Sequence, residues 1–342
     1  MAKSIPLIRA AVLGPMIRWL RTHGLPVRER LQLADLGYIS GAEPELPIPL
    51  FFAFEFFRKL AALEGPDIAA RVITPHSVAD LGKFGRVILA GRTPRDALLR
   101  VVAALPRYST HELILLRPIR GGLCVQAGWS LVLDEETMHL TQQFTAAMIQ
   151  MLYAATERGP RSPRSLRIRA HPRFGIEHLR PIFGAPLAMS NEATLAVDLD
   201  DDALDAPFAF GAPPAEDAPA EDWDFLNGSS TFSHSVRLAL APMIDEPSAS
   251  FVRLAKASGM SARSLQRVLT AEGTSFRQLT DDLRRERTLQ TLLANSDAMS
   301  AAAADVGYQA QSSLSRAVRR WTGAPPKTLR AASTGRQRPA ST

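Results

Sequence analysis

Between residues 211 and 222 the chain reads GAPPAEDAPAED, and this stretch decides what the rest can fold into. It has no apolar periodicity, and its prolines and acids leave it nothing to bury. Residues 211–230 read as an exposed, mobile acidic linker, so the 342 residues must form more than one core. The expected division is 1–210, the linker 211–230, a second domain over 231–332 and a disordered tail over 333–342.

Charge follows the same division. Residues 233–342 hold 16 Lys and Arg against 8 Asp and Glu, a balance of +8, and the remainder is −2 although the whole chain is +6. A basic excess confined to one end is what a domain that meets phosphates requires. The single cysteine, Cys124, excludes an internal disulfide framework and a Cys-rich zinc site. The start, Met1 to Pro6, has no apolar core of a secretory signal, and no uncharged apolar run nears the ~20 residues of a membrane span. A cytoplasmic protein without a membrane partner is expected.

The front part mixes periods. Helical spacing predicts helices over residues 8–23, 49–64, 94–105 and 141–158, the third opened by Thr93-Pro94. Residues 113–120 and 123–129 flank Gly121-Gly122 as a hairpin, and residues 166–171 and 193–199 read as further strands. The fold class is therefore an α+β domain followed by an all-α domain, since no strand pattern follows the linker.

Two segments of the second domain share one grammar. In the first, Phe251, Leu254 and Ala255 form the inner face of a short helix, Ser258-Gly259-Met260 is a tight turn, and Ser261 caps the next helix. On that helix Leu265, Val268 and Leu269 point inward, which leaves Ala262, Arg263, Ser264, Gln266 and Arg267 outward. Arg and Gln can make paired hydrogen bonds to guanine and adenine edges, so this is the expected reading helix of a helix-turn-helix. The second segment, residues 301–321, repeats the design, with Leu314, Ala317, Val318 and Trp321 inward and Gln311, Ser312, Ser315, Arg316 and Arg319 left for DNA. A helix over residues 275–295, carrying Phe276, Leu279, Leu283 and Leu292, would join the two readers, with its Arg284-Arg285-Glu286-Arg287 cluster on the exposed side.

Gly259-Met260-Ser261, Leu265-Gln266-Arg267, Glu272-Gly273-Thr274-Ser275-Phe276, Gly307-Tyr308, Ser315-Arg316-Ala317 and Arg320-Trp321-Thr322-Gly323 with Pro325-Pro326 resemble the AraC/XylS family of bacterial regulators. The match covers residues 232–330. Over residues 17–208 the front part more weakly resembles the arabinose-binding-domain-like effector half of a subgroup, through Leu81-Gly82, Gly91-Arg92-Thr93, Ala97-Leu98 and Phe183-Gly184-Ala185-Pro186-Leu187. The resemblance implies a dimeric regulator that binds promoter DNA over two successive major-groove turns, with a small-molecule effector, RNA polymerase as a further partner and no cofactor. One departure stands out: Ala302-Ala303 replaces the family's bulky Ile before Ala, so the second unit is expected to be less stable, or to touch backbone more than bases.

Two alternatives stay open: a front domain that only dimerises or contacts protein, and an enzyme fused to a DNA-binding domain. No G-x-S-x-G, P-loop or G-x-G-x-x-G pattern supports the second, and neither catalytic nor metal residues are assigned. The seven histidines form no metal-ligand motif; His139 and His178 are kept as the two that a ligand would meet, with a surface or core role preferred. The Phe51, Phe52, Phe54, Phe56, Phe57 cluster reads as core, Cys124 as a buried small residue, and Asp198 to Asp202 as a solvated acidic loop.

Overall fold

The structure, a computed structural model, describes residues 4–39, 43–210, 226, 231–244, 251–294, 316 and 318–320. The chain forms two compact units, Pro6–Gly228 and Ser229–Thr342 together with Met1–Ile5.

The front unit runs β1 (Leu7–Arg9), α1 (Gly14–Thr22), α2 (Val27–Gln32), β2 (Pro47–Pro49), α3 (Leu50–Glu64), α4 (Ile68–Arg71), α5 (Gly82–Leu89), α6 (Pro94–Tyr108), β3 (Glu112–Ile119), β4 (Gly122–Trp129), α7 (Glu135–Ala154), β5 (Ser165–Arg169), α8 (Arg180–Phe183), β6 (Leu187–Ser190), β7 (Leu195–Asp200) and α9 (Asp201–Leu204). β1 and β2 pair antiparallel, and a five-stranded sheet has the order β3-β4-β7-β5-β6, with only β5 and β6 parallel. Its inner face, with Val125, Leu166, Ile168, Val197 and Leu199, packs in one core with Ala146, Ile149 and Tyr153 of α7.

Local chemistry sets several of these boundaries. Thr93 accepts the Asp96 N–H at the start of α6, and Asp134 accepts the Thr137 N–H at the start of α7. At the β3–β4 hairpin a side chain on Gly122 would stand 2.0 Å from the Leu199 carbonyl oxygen, so β4 meets β7 there only because the residue is glycine.

Three expectations change. Residues 8–13 are not α-helix: Ile8 pairs with Ile48 in the small sheet, residues 10–13 form a 3₁₀ helix, and the α-helix starts at Gly14. The partner strand Pro47–Pro49 lies some forty residues away, beyond any local period. α7 runs over Glu135–Ala154, so it begins six residues earlier than expected and ends four earlier; its start is set by the Asp134 cap, and the Glu135-Glu136 pair there gives little apolar signal. Residues 198–202 are the end of β7 and the start of α9, held by arginines: Arg167–Asp198 at 2.9 Å, Arg95–Asp201 at 2.5 Å, and the Arg164–Asp200 and Arg158–Asp202 pairs. They are an ion-paired edge and not a solvated loop.

The second unit holds α10 (Phe232–Leu240), α11 (Phe251–Ala257), α12 (Ala262–Ala271) and α13 (Phe276–Ala294), with no strand among its described residues. The linker expected over 211–230, apart from residue 226, and the tail over 333–342 lie outside the described residues. Among the described residues no helix is long and apolar enough to cross a membrane.

Candidate nucleic-acid interface and ligand cavity

The α11–α12 pair is a helix, a turn and a second helix. Gly259 has φ +63°, which glycine adopts without strain, and the chain reverses there. Ser261 then accepts the Ser264 N–H at 3.1 Å and starts α12. Leu254 and Ala255 of α11 and Leu265 and Leu269 of α12 are buried, and the Phe251 and Phe276 rings meet at 5.3 Å. Val268, expected inward, is only half-buried.

With that face buried, α12 presents the opposite one. Arg263, Gln266, Arg267 and Thr270 are exposed at helical spacing, and Ala262 is exposed at the first turn. Ser264 is half-buried, and its hydroxyl accepts the Ser261 hydroxyl at 3.0 Å, so it serves the cap more than the outer face. No ion pair among the described residues engages Arg263 or Arg267. The front unit treats its arginines differently: Arg18, Arg30, Arg95, Arg164 and Arg167 each pair with a carboxylate. Two uncommitted guanidiniums flanking a Gln on a rigid helix suit contact with base edges and phosphates.

Of the segment expected to form a second reading helix, Arg316, Val318, Arg319 and Arg320 are described and helical; Val318 is buried, and Arg316 and Arg319 are exposed. Gln311, Ser312 and Ser315, and the Ala301–Ala304 run, lie outside the described residues. α13 buries Leu279 and Leu283. Its basic cluster is less uniformly outward than expected: Arg284 is half-buried, and Glu286 pairs with Arg237 of α10.

The sequence reading missed α10 and what anchors it. The Glu272 carboxylate, just after α12, accepts the backbone N–H groups of Phe232 and Ser233, both at 2.8 Å, and so caps the start of α10. Burial opposes its ionisation, but hydrogen bonds from Ser233 and the Phe232 N–H outweigh this and hold the carboxyl below its usual range. Its contribution is therefore present above about pH 4.5, the unfolded value, and is lost as pH falls through the lower folded value. Glu272→Ala should cost about 1 kcal/mol, at the modest end because the site is exposed. Faster amide exchange at Phe232 and Ser233 is the measurement; unchanged protection there would refute the cap.

In the front unit, side chains from β1, α3, α5, α6, β3, β4 and α7 leave a cavity of about 90 Å³. Three aromatic pairs line it: Phe54 and Trp129 at 5.1 Å, Phe57 and Phe144 at 5.3 Å, and Phe84 stacked on Tyr108 at 4.2 Å. Of the Phe cluster, Phe52 and Phe56 are core as expected, whereas Phe54 and Phe57 also form this wall. Its polar lining residues are Glu112, Tyr108, Thr141 and Thr145, and Glu112, Thr141 and Thr145 also border one smaller recess, which marks a polar end. Glu112 is the ionisable carboxylate there; it keeps some surface access as a residue, yet burial among apolar neighbours pushes its carboxyl up to about 7. A sequence signal existed: Glu112 shares the inward phase of β3 with Ile114 and Leu116, an acid where an apolar residue is expected.

His139 and His178 do not line the cavity. They meet each other, Nε2 to Nε2 at 3.1 Å, with His171 packed beside them and His139 Nδ1 at 2.5 Å from the Arg169 carbonyl oxygen. Burial pushes His139 down to about 4, and its two histidine neighbours add to the shift against that hydrogen bond. Cys124 is fully buried.

Residues 254–332 match the family described as "Helix-turn-helix domain". Over 74 residues the chain is 38% identical to the HTH-type transcriptional regulator VqsM of Pseudomonas aeruginosa, a match spanning 22% of this chain and 23% of that protein. The transcriptional regulator CdpR from Pseudomonas aeruginosa aligns over 93% of this chain and 96% of its own at 18% identity, with a TM-score of 0.42. A DNA-binding transcriptional dual regulator from Escherichia coli K-12 aligns over 31% and 94% at 24% identity, with a TM-score of 0.29. These two superpositions are too loose to carry structural detail. The C-terminal part of the chain therefore carries a helix-turn-helix domain.

Proposed function

We propose that the protein is a sequence-specific DNA-binding transcriptional regulator that places α12 in the major groove of promoter DNA and answers to a small molecule held in the front unit. The observation that carries this reading is the exposed stripe of Arg263, Gln266 and Arg267 on a helix fixed by buried Leu265 and Leu269. The matched domain and the +8 balance of residues 233–342 support it. Ala262 belongs to the same contact surface, and Ser264 orients it through the cap. A second reader with Gln311, Ser312, Ser315, Arg316 and Arg319 would take the next groove, about 34 Å along the duplex. Cytoplasmic location, a homodimer and contact with RNA polymerase complete the proposal. β3, an edge strand with Leu113 and Leu115 exposed, favours self-association of the front unit.

The cavity favours a sensor over a front domain that only dimerises, because a filled core would have left no aromatic-walled space with a polar end. An effector acts only if the two states of the protein bind DNA or polymerase differently.

Arg267→Ala is the direct test. A base-reading residue should lose about 1–3 kcal/mol, roughly 5- to 150-fold, on the preferred sequence and little on scrambled DNA. Fluorescence anisotropy with both duplexes at several salt concentrations measures this. An equal loss on both assigns Arg267 to phosphate, and no loss on either removes α12 from the interface.

A further inference from the structure

The cavity that supports the sensor reading also carries the chemistry of its occupant. Six aromatic rings form its walls, and a carboxylate stands at its polar end. Among the described residues its lining holds no Lys, Arg or His, so an anionic effector would be buried beside Glu112 with none of these cations to meet it. An ammonium group reverses each of these conditions. It supplies the counter-charge that the lining does not, it donates up to three hydrogen bonds, and it is attracted to the faces of aromatic rings.

The geometry divides the labour at that end. Thr141 is already committed, donating to the Met138 carbonyl at 3.0 Å and accepting from the Trp129 indole at 3.3 Å. Its bonds hold Trp129 in place as a wall. Glu112 stays as the charged acceptor, with the Tyr108 and Thr145 hydroxyls on the same lining. A smaller recess shares Glu112, Trp129, Thr141 and Thr145 with the cavity and adds Gln142, so space extends beyond the carboxylate on the polar side. Size sets the apolar part: a cavity of roughly 150 Å³ holds benzene, so about 90 Å³ suits a short chain or a small branched body better than fused rings.

We propose that the effector is a small apolar molecule bearing a protonated amine, which pairs with Glu112 while its hydrocarbon part lies among Phe54, Phe57, Phe84 and Trp129. This rests on the sensor reading and adds to it the charge and size of the ligand. Glu112 is the residue that sets specificity.

The test uses the full chain at pH 8 and about 0.15 M salt, with propylamine, propanol and propanoate titrated by ligand-observed saturation-transfer NMR. Propylamine is expected to bind at least tenfold more tightly than propanol, with propanoate weaker still. Glu112→Gln should bring propylamine to the level of propanol while propanol binding persists, which shows that the variant's cavity is intact. Equal binding of propylamine and propanol, tighter binding of propanoate, or an amine preference that survives Glu112→Gln overturns the proposal and leaves the sensor reading standing. Failure of all three compounds to bind overturns both.

Discussion

Leu265→Ala is expected to abolish DNA binding without touching DNA. Leu265 is fully buried between α12 and α11, one helical turn before the equally buried Leu269. Removing a methine and two methyl carbons from such a site costs about 2–5 kcal/mol, because the lost burial adds to the cavity left behind. The α11–α12 pair has few buried side chains to lose it from, namely Leu254, Ala255, Ala257, Leu265 and Leu269. A cost of that size is a large fraction of the stability of a domain of this length. Arg263→Ala on the same helix removes an exposed side chain and should change stability by less than about 0.5 kcal/mol. Hydrogen exchange across residues 251–271 separates the two: protection collapses in Leu265→Ala and persists in Arg263→Ala. Full protection in Leu265→Ala would mean that this packing does not hold α12.

The front unit should respond to pH in two opposed ways, and one substitution separates them. Glu112 is raised to about 7 by burial, against 4.5 unperturbed, so the folded state prefers its neutral form. Its effect is nil below about pH 4.5 and grows to a cost of about 3 kcal/mol as pH rises through 7. His139 is lowered to about 4 against 6.5 unperturbed, so the folded state again prefers the neutral form, but here that form dominates at high pH. Acid then costs about 3 kcal/mol as pH falls from 6.5 to 4, and His171 and His178, also lowered mainly by burial, add to it. In the unmodified chain the two trends partly cancel between pH 7 and 4.5. Glu112→Gln should stabilise the front unit by up to about 3 kcal/mol at pH 8 and leave it unchanged at pH 4.5, exposing the steep acid loss of the histidines. Urea unfolding at both pH values, followed by front-unit amide exchange, checks this. A Glu112→Gln gain of the same size at both would show that the carboxyl does not titrate as described.

What the sequence disclosed and what it hid follow a physical line. Features made by neighbours in sequence were readable. Ser261 and Gly259 mark the start of α12 and the turn before it, Thr93-Pro94 opens α6, and Gly121-Gly122 makes the β3–β4 hairpin. Features made across the fold were not. Ile8 looks helical because its strand partner, Ile48, is forty residues away. The contact of Glu272 with α10 spans about forty residues, so a conspicuous acid could be noted without its capping role. The three histidines come together from α7, the loop after β5 and the turn before α8, with no spacing rule to join them. The cavity is space left unfilled among seven elements, and no residue pattern encodes an absence. Glu112, an acid in phase with the inward apolar side of β3, was the signal that pointed toward it.

The proposed regulator role depends on α12 reading DNA sequence, and selection of duplexes from a random library by the full chain, at about 0.15 M salt, shows whether it does. The expected result is an enriched motif that Arg267→Ala binds less tightly than the unmodified chain, with the loss concentrated on that motif. A folded chain that enriches no sequence over the input would contradict it.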